Sequence, residues 1–146
     1  GKTYMSINFA KRFNKTLVIV PKNVLVDQWL ENFLNYTDLT KNDIGIIEGS
    51  DINEIQEILK SKKIFITKPQ SLLSQIKRND INQLFSLYEL IDLVIYDECH
   101  SAGAEGFSKT LSLFRTPNIL GLTATPFRKG INEFLLINSI EIGRAH

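Results

Sequence analysis

The sequence predicts an α/β fold in which a parallel β-sheet carries helices on both faces. Short apolar runs alternate along the chain with longer segments whose apolar residues recur every three or four positions. Such alternation is typical of β-α-β units, which build parallel sheets. The run Leu93-Val94-Ile95-Tyr96 is uninterrupted by polar residues, as expected for a strand that is covered on both faces.

Five segments are predicted to be strands, because each is a short apolar run bounded by a turn-forming or polar residue. The first ends at Pro21, the second is closed by Gly49, and the third is followed by Pro69, which can open a helix. The predicted strands comprise residues 17–20, 44–47, 63–67, 93–96 and 119–122.

The segments between these strands are predicted to be helices. Leu25, Trp29 and Phe33 follow one another at a spacing of four, which places an apolar stripe on one face of a helix. Asp51 with Glu54 three residues later indicates a helix start with an acidic capping box. The predicted helices comprise residues 4–13, 23–35, 51–59, 69–76, 81–90 and 105–114.

Length and composition indicate one globular domain. The chain has 146 residues, and its 43% hydrophobic and 23% charged residues exclude a disordered chain. No apolar run approaches the length of a membrane span, and the N-terminal residues lack a signal-peptide pattern. The only cysteine, Cys99, excludes an internal disulfide and predicts an intracellular, reducing compartment. Because the formal net charge is +1, any nucleic-acid binding must rely on a local basic surface.

The first candidate motif is Gly1-Lys2-Thr3, which matches the end of the phosphate-binding loop G-x-x-x-x-G-K-[ST]. In that loop the lysine contributes a point charge for the β- and γ-phosphates, and the threonine hydroxyl ligates Mg²⁺. The helix that follows would direct the positive end of its dipole at the phosphates. We therefore predict that Gly1, Lys2 and Thr3 bind ATP, although so short a motif also occurs by chance.

The second candidate motif is Asp97-Glu98-Cys99-His100, directly after the fourth predicted strand. An aspartate in this place can hold Mg²⁺, and the adjacent glutamate can polarise the water that attacks the γ-phosphate. One alternative is an acidic turn that caps the next helix. Another is a nucleophilic pair of Cys99 and His100, which is less favoured because neighbours in sequence rarely align as nucleophile and base.

The third candidate motif is Thr123-Ala124-Thr125-Pro126, which follows the fifth predicted strand. Its two hydroxyl groups can hydrogen-bond the acidic cluster and transmit the state of the γ-phosphate. We assign a coupling role to this motif together with His100. The alternative is a Thr-Pro turn without a role in catalysis.

In this order, the three motifs resemble those of the superfamily-two DExH-box helicases and translocases: a phosphate loop, a DExH box and an S/T-A-T motif. The resemblance runs from residue 1 to about residue 130 and implies the first RecA-like motor domain, with ATP and Mg²⁺ as cofactors and Lys2, Asp97 and Glu98 as catalytic residues. Residues 97–128 are most similar to the transcription-and-repair DNA helicases and their relatives in large DNA viruses. That similarity favours DNA over RNA as the partner.

Two further segments look like the nucleic-acid contacts of the same family. The first matches motif Ia in the form P-x-x-x-L-x-x-Q-W, and the second matches motif Ib. Lysine, amide and hydroxyl groups at strand ends suit contacts to a phosphate backbone. Such contacts position the protein on the nucleic acid without reading its base sequence. Trp29 lies on the apolar helix stripe and is predicted to belong to the core. The predicted contact residues are Pro21, Lys22, Gln28, Thr67, Lys68 and Gln70.

The leading functional interpretation is ATP-driven unwinding of, or translocation along, nucleic acid. A motor subunit of a restriction system shares the same motifs. A RecA-like binding module without hydrolysis is a third interpretation, although it would not need both Asp97 and Glu98. A phosphate-loop kinase or transporter ATPase would not need the Thr-Ala-Thr motif.

The residues at the two ends of the chain lead to further predictions. Because it opens on Gly1 without a methionine, we expect the strand that leads into the phosphate loop to be missing, which would leave residues 119–122 as an open sheet edge. A second RecA-like domain with an arginine finger is expected in cis, so the 146-residue chain alone is expected to be inactive. Residues 141–146 match the translation of a common sequencing adapter, so the native domain is expected to span residues 1–140.

Overall fold

The computed structural model describes residues 1–49, 51–123 and 134–136, and its centre is a six-stranded β-sheet. The strand order is β2-β3-β1-β4-β5-β6, and the first five strands in this order run parallel. The strands are β1 (Thr16–Ile19), β2 (Ile44–Ile47), β3 (Ile64–Thr67), β4 (Leu93–Tyr96), β5 (Ile119–Leu122) and β6 (Phe134–Leu136).

Within the described residues there are six α-helices, one before β1 and five between strands. They are α1 (Lys2–Ala10), α2 (Asn23–Tyr36), α3 (Ile52–Ser61), α4 (Pro69–Arg78), α5 (Ile81–Tyr88) and α6 (Gly103–Leu111). Short 3₁₀ turns precede β2 at Lys41–Asp43 and α6 at Cys99–Ala102. The predicted fold class and its five strands and six helices are confirmed, with helix ends displaced by at most three residues.

Helices cover both faces of the sheet because consecutive strand residues point to opposite sides. In β1, Leu17 and Ile19 pack into one core with residues of α3, α4 and α5. Val18, on the other face, packs into a second core with residues of α1 and α2. All four β1 residues are buried, which is the pattern predicted for a parallel sheet covered on both sides.

Two local predictions about the helices are also confirmed, the N-cap at Asp51 and the burial of Trp29. Asp51 is the N-cap of α3, and its carboxylate accepts hydrogen bonds from the backbone N–H groups of Asn53 and Glu54. Trp29, on the apolar stripe of α2, is only 2% exposed. No helix in residues 1–49, 51–123 and 134–136 is both long and apolar enough to cross a bilayer.

The edge of the sheet at β5 differs from the prediction. The sequence predicts an open edge at residues 119–122, but β6 pairs with β5 in antiparallel orientation, with Leu120 opposite Leu136 and Leu122 opposite Phe134. An apolar edge strand with unpaired backbone groups is costly, and an extended segment of the same chain relieves that cost. The prediction was wrong because the chain itself supplies such a segment. Residues 141–146 lie outside the described residues.

Gly45 in β2 is expected to be intolerant of a side chain. A Cβ atom there would lie 2.5 Å from Ile58 Cγ2 and 2.9 Å from Lys62 Cδ, and the β-branched Ile58 side chain has little rotamer freedom with which to move away. We expect Gly45→Ala to lower the free energy of unfolding by about 1–3 kcal/mol through overpacking of the α3–β2 contact. Chemical denaturation monitored by circular dichroism measures this change.

Gly106→Ala is the matched control. Gly106 lies in α6, and a Cβ atom there would meet nothing within 4 Å. This substitution should raise the free energy of unfolding by roughly 0.5–1 kcal/mol, because alanine loses less conformational entropy in a helix. Equal effects of the two substitutions would contradict the packing described around Gly45.

Candidate active site

The candidate site lies along the edge of the sheet where the parallel strands end. In a parallel sheet the carboxyl ends of all strands meet at one edge, and ligands bind there. In the order of the sheet, Lys68 follows β3, Lys22 comes after β1, Asp97 follows β4, and Thr123 follows β5. The basic residues therefore occupy one half of this edge, and the acidic and hydroxyl groups occupy the other half.

Lys2 joins the first two motifs although 96 residues separate it from Glu98. The lysine lies in the first turn of α1, and Gly1 is the N-cap of that helix. Its Nζ atom lies 3.1 Å from Glu98 Oε1 and 3.8 Å from Asp97 Oδ1. The structure thus brings the phosphate-loop lysine and both candidate carboxylates together. The two carboxylates balance the charge of the lysine.

Asp97 is held at the end of β4 by contacts from two other elements. Its backbone N–H donates a 2.8 Å hydrogen bond to the carbonyl of Ile19 in β1. Its Oδ2 atom accepts a 2.7 Å hydrogen bond from the indole Nε1 of Trp29. The residue is only 4% exposed, so the carboxylate has one fixed orientation.

The second oxygen of Asp97 provides a test of whether the site fits a divalent cation. Oδ1 is buried and accepts no hydrogen bond from the described residues, and Lys2 Nζ, at 3.8 Å, lies beyond hydrogen-bonding distance. Buried polar atoms normally have partners, so an orphaned carboxylate oxygen indicates a ligand site. Within the described part of the chain, no three His, Cys, Asp or Glu side chains are grouped for metal binding. One or two carboxylates completed by phosphates and water is the usual environment of Mg²⁺, so the residues present fit this ion.

Glu98 has an unusual backbone conformation. Its φ and ψ are 51° and 46°, and it is the one non-glycine residue with positive φ among those described. The left-handed conformation costs a non-glycine residue roughly 1–2 kcal/mol, and such strain concentrates at functional sites. Sequence patterns do not reveal this strain, because Asp-Glu after a strand is equally compatible with an ordinary turn.

A polar relay connects the acidic motif to the third motif. His100 Nε2 lies 3.7 Å from Glu98 Oε2, and His100 Nδ1 shares a 2.9 Å hydrogen bond with Thr123 Oγ1. Thr123 therefore reaches the acidic cluster through the imidazole, which is a more specific arrangement than the direct contact predicted. Ala124 and Thr125, the other residues assigned to coupling, lie outside the described residues.

Cys99 is buried behind the site rather than exposed in it. Burial in the apolar core raises the pKa of the Cys99 thiol, and the negative charges of Glu98 and Asp97 raise it further. A thiol with a raised pKa is protonated at neutral pH and is a poor nucleophile. The alternative in which Cys99 and His100 form a nucleophilic pair is therefore disfavoured.

The two predicted nucleic-acid segments meet at the basic half of the edge. Lys22 and Lys68 are the N-cap residues of α2 and α4, which begin after the neighbouring strands β1 and β3. Lys68 Nζ donates a 2.7 Å hydrogen bond to Asn23 Oδ1 and so joins the segments. Gln28 and Gln70 are exposed, and Pro21 is half-buried, so all of these residues except the proline present polar groups to solvent.

Thr67 is the exception among the predicted contact residues. It is only 1% exposed, and its hydroxyl donates a 2.8 Å hydrogen bond to the carbonyl of Ile47. The hydroxyl thus ties the end of β3 to the end of β2 and is not accessible to a phosphate. A direct contact between Thr67 and nucleic acid stays a prediction, which this arrangement disfavours because the last residue of an interior strand is still covered by the sheet.

The helices that start at the candidate motifs share one feature. No side chain caps the N-terminus of α1, α2 or α4, whereas aspartate side chains cap α3 and α5. Uncapped first-turn N–H groups are free to bind anions, and the helix dipole favours negative charge there. These three helix ends are therefore suited to phosphate oxygens.

The strand order and the residues gathered at this edge are those of a RecA-like P-loop domain. The helicase domain of Hef from Pyrococcus furiosus has the same fold, with a TM-score of 0.66 and 24% identity over 89% of this chain and 28% of that chain. The profile of the family described as "Type III restriction enzyme, res subunit" matches residues 1–128, so the chain belongs to this family.

Two curated relatives show similarity over most of this chain. The DNA 3'-5' translocase XPB2 of Sulfurisphaera tokodaii is 32% identical over 129 residues, which cover 88% of this chain and 25% of the relative. The ATP-dependent DNA helicase MPH1 of Kluyveromyces lactis is 26% identical over 157 residues, covering 99% of this chain and 15% of the relative. The chain thus spans a quarter or less of the length of these relatives, and the predicted resemblance to superfamily-two helicases is confirmed.

The Cys99 thiol is expected to be unreactive in the folded protein. Iodoacetamide at pH 7 should label Cys99 slowly in the native state and rapidly after denaturation, because burial both shields the sulfur and raises its pKa. Peptide mass spectrometry of the labelled protein measures both rates. Rapid labelling of the native protein would contradict the buried, protonated state and reopen the nucleophile interpretation.

Proposed function

We propose that this chain is the nucleotide-hydrolysing part of a motor that uses ATP to translocate along or unwind DNA. The observation that carries the proposal is the convergence of Lys2, Asp97 and Glu98 at one strand edge, with Asp97 Oδ1 buried and without a hydrogen bond from the described residues. DNA is favoured as the track because the relatives described above are named as a DNA translocase and a DNA helicase.

In the proposed reaction each of the three residues has a separate role. Lys2 would leave its ion pair with Glu98 to neutralise the β- and γ-phosphates, which carry more negative charge than one carboxylate. Asp97 and the Thr3 hydroxyl would hold Mg²⁺, which, when bound, neutralises charge on the transferring phosphoryl group. Glu98, released from Lys2, would accept the proton of the attacking water.

The relay through His100 supports a coupling role for the third motif. A change in the position of Glu98 alters its 3.7 Å contact with His100, and the imidazole is hydrogen-bonded to Thr123 at the end of β5. The state of the nucleotide would thereby reach the segment that follows β5, where the coupling residues Ala124 and Thr125 lie.

The basic half of the strand edge would hold the phosphate backbone of the nucleic acid. Lys22 and Lys68, the exposed amides of Gln28 and Gln70, and the uncapped starts of α2 and α4 together form a local positive surface. Such a surface compensates for a net charge of only +1. Contacts of this kind fix the register of the backbone without reading base sequence.

Two further elements complete the proposal. A second RecA-like domain in cis would supply the arginine that stabilises transition-state charge, and the large uncovered share of each relative leaves room for such a domain. The second candidate function is the motor subunit of a restriction system, which the description of the matching family favours. Domains outside this stretch would distinguish the two candidates.

Glu98→Gln in the full-length protein tests the proposed chemistry. The amide keeps the shape and a hydrogen-bonding group but cannot accept the proton, so ATP turnover should fall by at least about 10²-fold while nucleotide affinity stays close to wild type. Steady-state hydrolysis and equilibrium nucleotide binding measure the two quantities.

The control for this experiment is Glu105→Gln. The Glu105 side chain is 86% exposed and pairs only loosely with Lys109, at 3.8 Å, so its loss should leave turnover unchanged. Near-normal ATP hydrolysis in Glu98→Gln would contradict the assignment of Glu98 as the general base. It would favour the interpretation of the domain as a nucleotide-binding module.

Lys68→Gln tests the proposed nucleic-acid surface. If Lys68 pairs with one phosphate, the slope of log affinity against log salt should become shallower by about one unit, and the loss should be similar for unrelated DNA sequences. Fluorescence anisotropy of labelled DNA at several salt concentrations gives the slope. Lys109→Gln, which removes an exposed lysine from α6, should leave the slope unchanged. A marked sequence preference in the wild type would contradict a surface that contacts only the backbone.

A further inference from the structure

The indole of Trp29 makes a contact that core packing alone does not require. The ring packs beside Phe33, with their centroids 5.9 Å apart, in the core beneath α2. Its N–H group does not donate to a backbone carbonyl, but to the Oδ2 atom of Asp97 at 2.7 Å. A buried indole needs a hydrogen-bond partner, and here that partner is the carboxylate proposed to hold the metal.

This hydrogen bond determines which carboxylate oxygen of Asp97 is available to a metal ion. The backbone of Asp97 is already fixed by its bond to Ile19, so the remaining freedom is rotation of the carboxylate. The bond to Trp29 removes that freedom and occupies Oδ2, which leaves Oδ1 without a hydrogen bond from the described residues and 3.8 Å from Lys2 Nζ. Partners of this type, which orient a metal ligand without touching the metal, strongly affect metal affinity.

Trp29 also connects the metal site to the nucleic-acid surface. It belongs to α2, the helix that begins at Asn23 directly after Lys22. Trp29 lies six positions after Asn23, a distance of about 9 Å along a helix. Because Asn23 is hydrogen-bonded to Lys68, a ligand that engages either lysine acts on the same rigid element that holds the Asp97 carboxylate.

We propose that Trp29 is a positioning residue that sets the orientation of the Asp97 carboxylate for the metal ion and makes that orientation depend on the position of α2. The inference deepens the function proposed above and rests on it. DNA bound at the start of α2 thereby influences the metal site through one hydrogen bond rather than through the bulk of the domain.

The experiment separates the N–H group from the indole ring. In the full-length protein, benzothienylalanine at position 29 replaces the N–H group by sulfur and preserves the bicyclic shape, and Trp29→Phe removes the donor together with part of the ring. Manganese is titrated into each protein saturated with ADP, and bound ion is measured by electron paramagnetic resonance. Both changes should weaken Mn²⁺ binding by roughly 10–100-fold.

Phe33→Leu is the matched control, because it alters the same buried stripe of α2 without removing a hydrogen bond to Asp97. Its Mn²⁺ affinity should stay close to wild type. Unchanged Mn²⁺ affinity in the benzothienylalanine protein, or an equal loss in Phe33→Leu, would overturn the positioning role. The benzothienylalanine protein keeps the shape of the core, so the comparison stands even if Trp29→Phe fails to fold.

A second readout addresses the dependence on α2. At saturating Mg²⁺, the ratio of ATP turnover with DNA to turnover without DNA should be much smaller in the benzothienylalanine protein than in the wild type, each protein being compared with its own turnover without DNA. Full stimulation would overturn the connection through α2. If the wild type itself shows no DNA-stimulated turnover, the proposed function fails, whereas the Mn²⁺ comparison still decides the role of Trp29.

Discussion

The buried carboxylate of Asp97 imposes the constraint on which the rest of the site depends. A carboxyl group that is only 4% exposed is costly to bury unless charged or polar groups surround it. Two elements meet this need: α2 supplies the indole donor to Oδ2, and α1 supplies the ammonium group of Lys2 near Oδ1. A third element, β1, holds the residue in place by accepting its backbone N–H. The carboxylate therefore fixes where these elements lie relative to one another. Two acidic side chains beside one lysine also leave a net negative charge, which suits a cation more than a second anion.

The parallel sheet explains why motifs far apart in sequence meet. Each of the five parallel strands is buried on both faces by the two cores, so the polar residues that follow a strand can reach solvent only beyond its carboxyl end. The order of the strands in the sheet then determines which of these residues lie next to one another. Because β1 lies between β3 and β4, the segment after β1 adjoins both the basic residue after β3 and the acidic residues after β4. The helix that begins there, α2, is thus the natural connection between the two halves of the site.

Most of the fold and the grouping of the motifs could be predicted from the sequence, because both follow from short-range patterns. The apolar runs of the strands and the spacing of Leu25, Trp29 and Phe33 require no information about distant residues. Several details escaped prediction because they depend on three-dimensional neighbours. The hydroxyl of Thr67, predicted to contact nucleic acid, instead has its acceptor on the adjacent strand. The bond from Trp29 to Asp97 spans 68 residues, although the need of any buried indole for an acceptor is a general hint. The pairing of β6 with β5 likewise depends on a distant segment.

The left-handed backbone of Glu98 has a consequence for how this position tolerates change. Glycine adopts φ 51° without steric cost, and asparagine does so more readily than glutamate. A library of variants selected only for folded protein would therefore drift toward glycine or asparagine at position 98. A library selected for ATP turnover would retain glutamate. If Glu98 is the base proposed above, selection for stability and selection for activity oppose each other at this residue, and the disagreement between two such screens would distinguish a catalytic position from residues that serve only the fold.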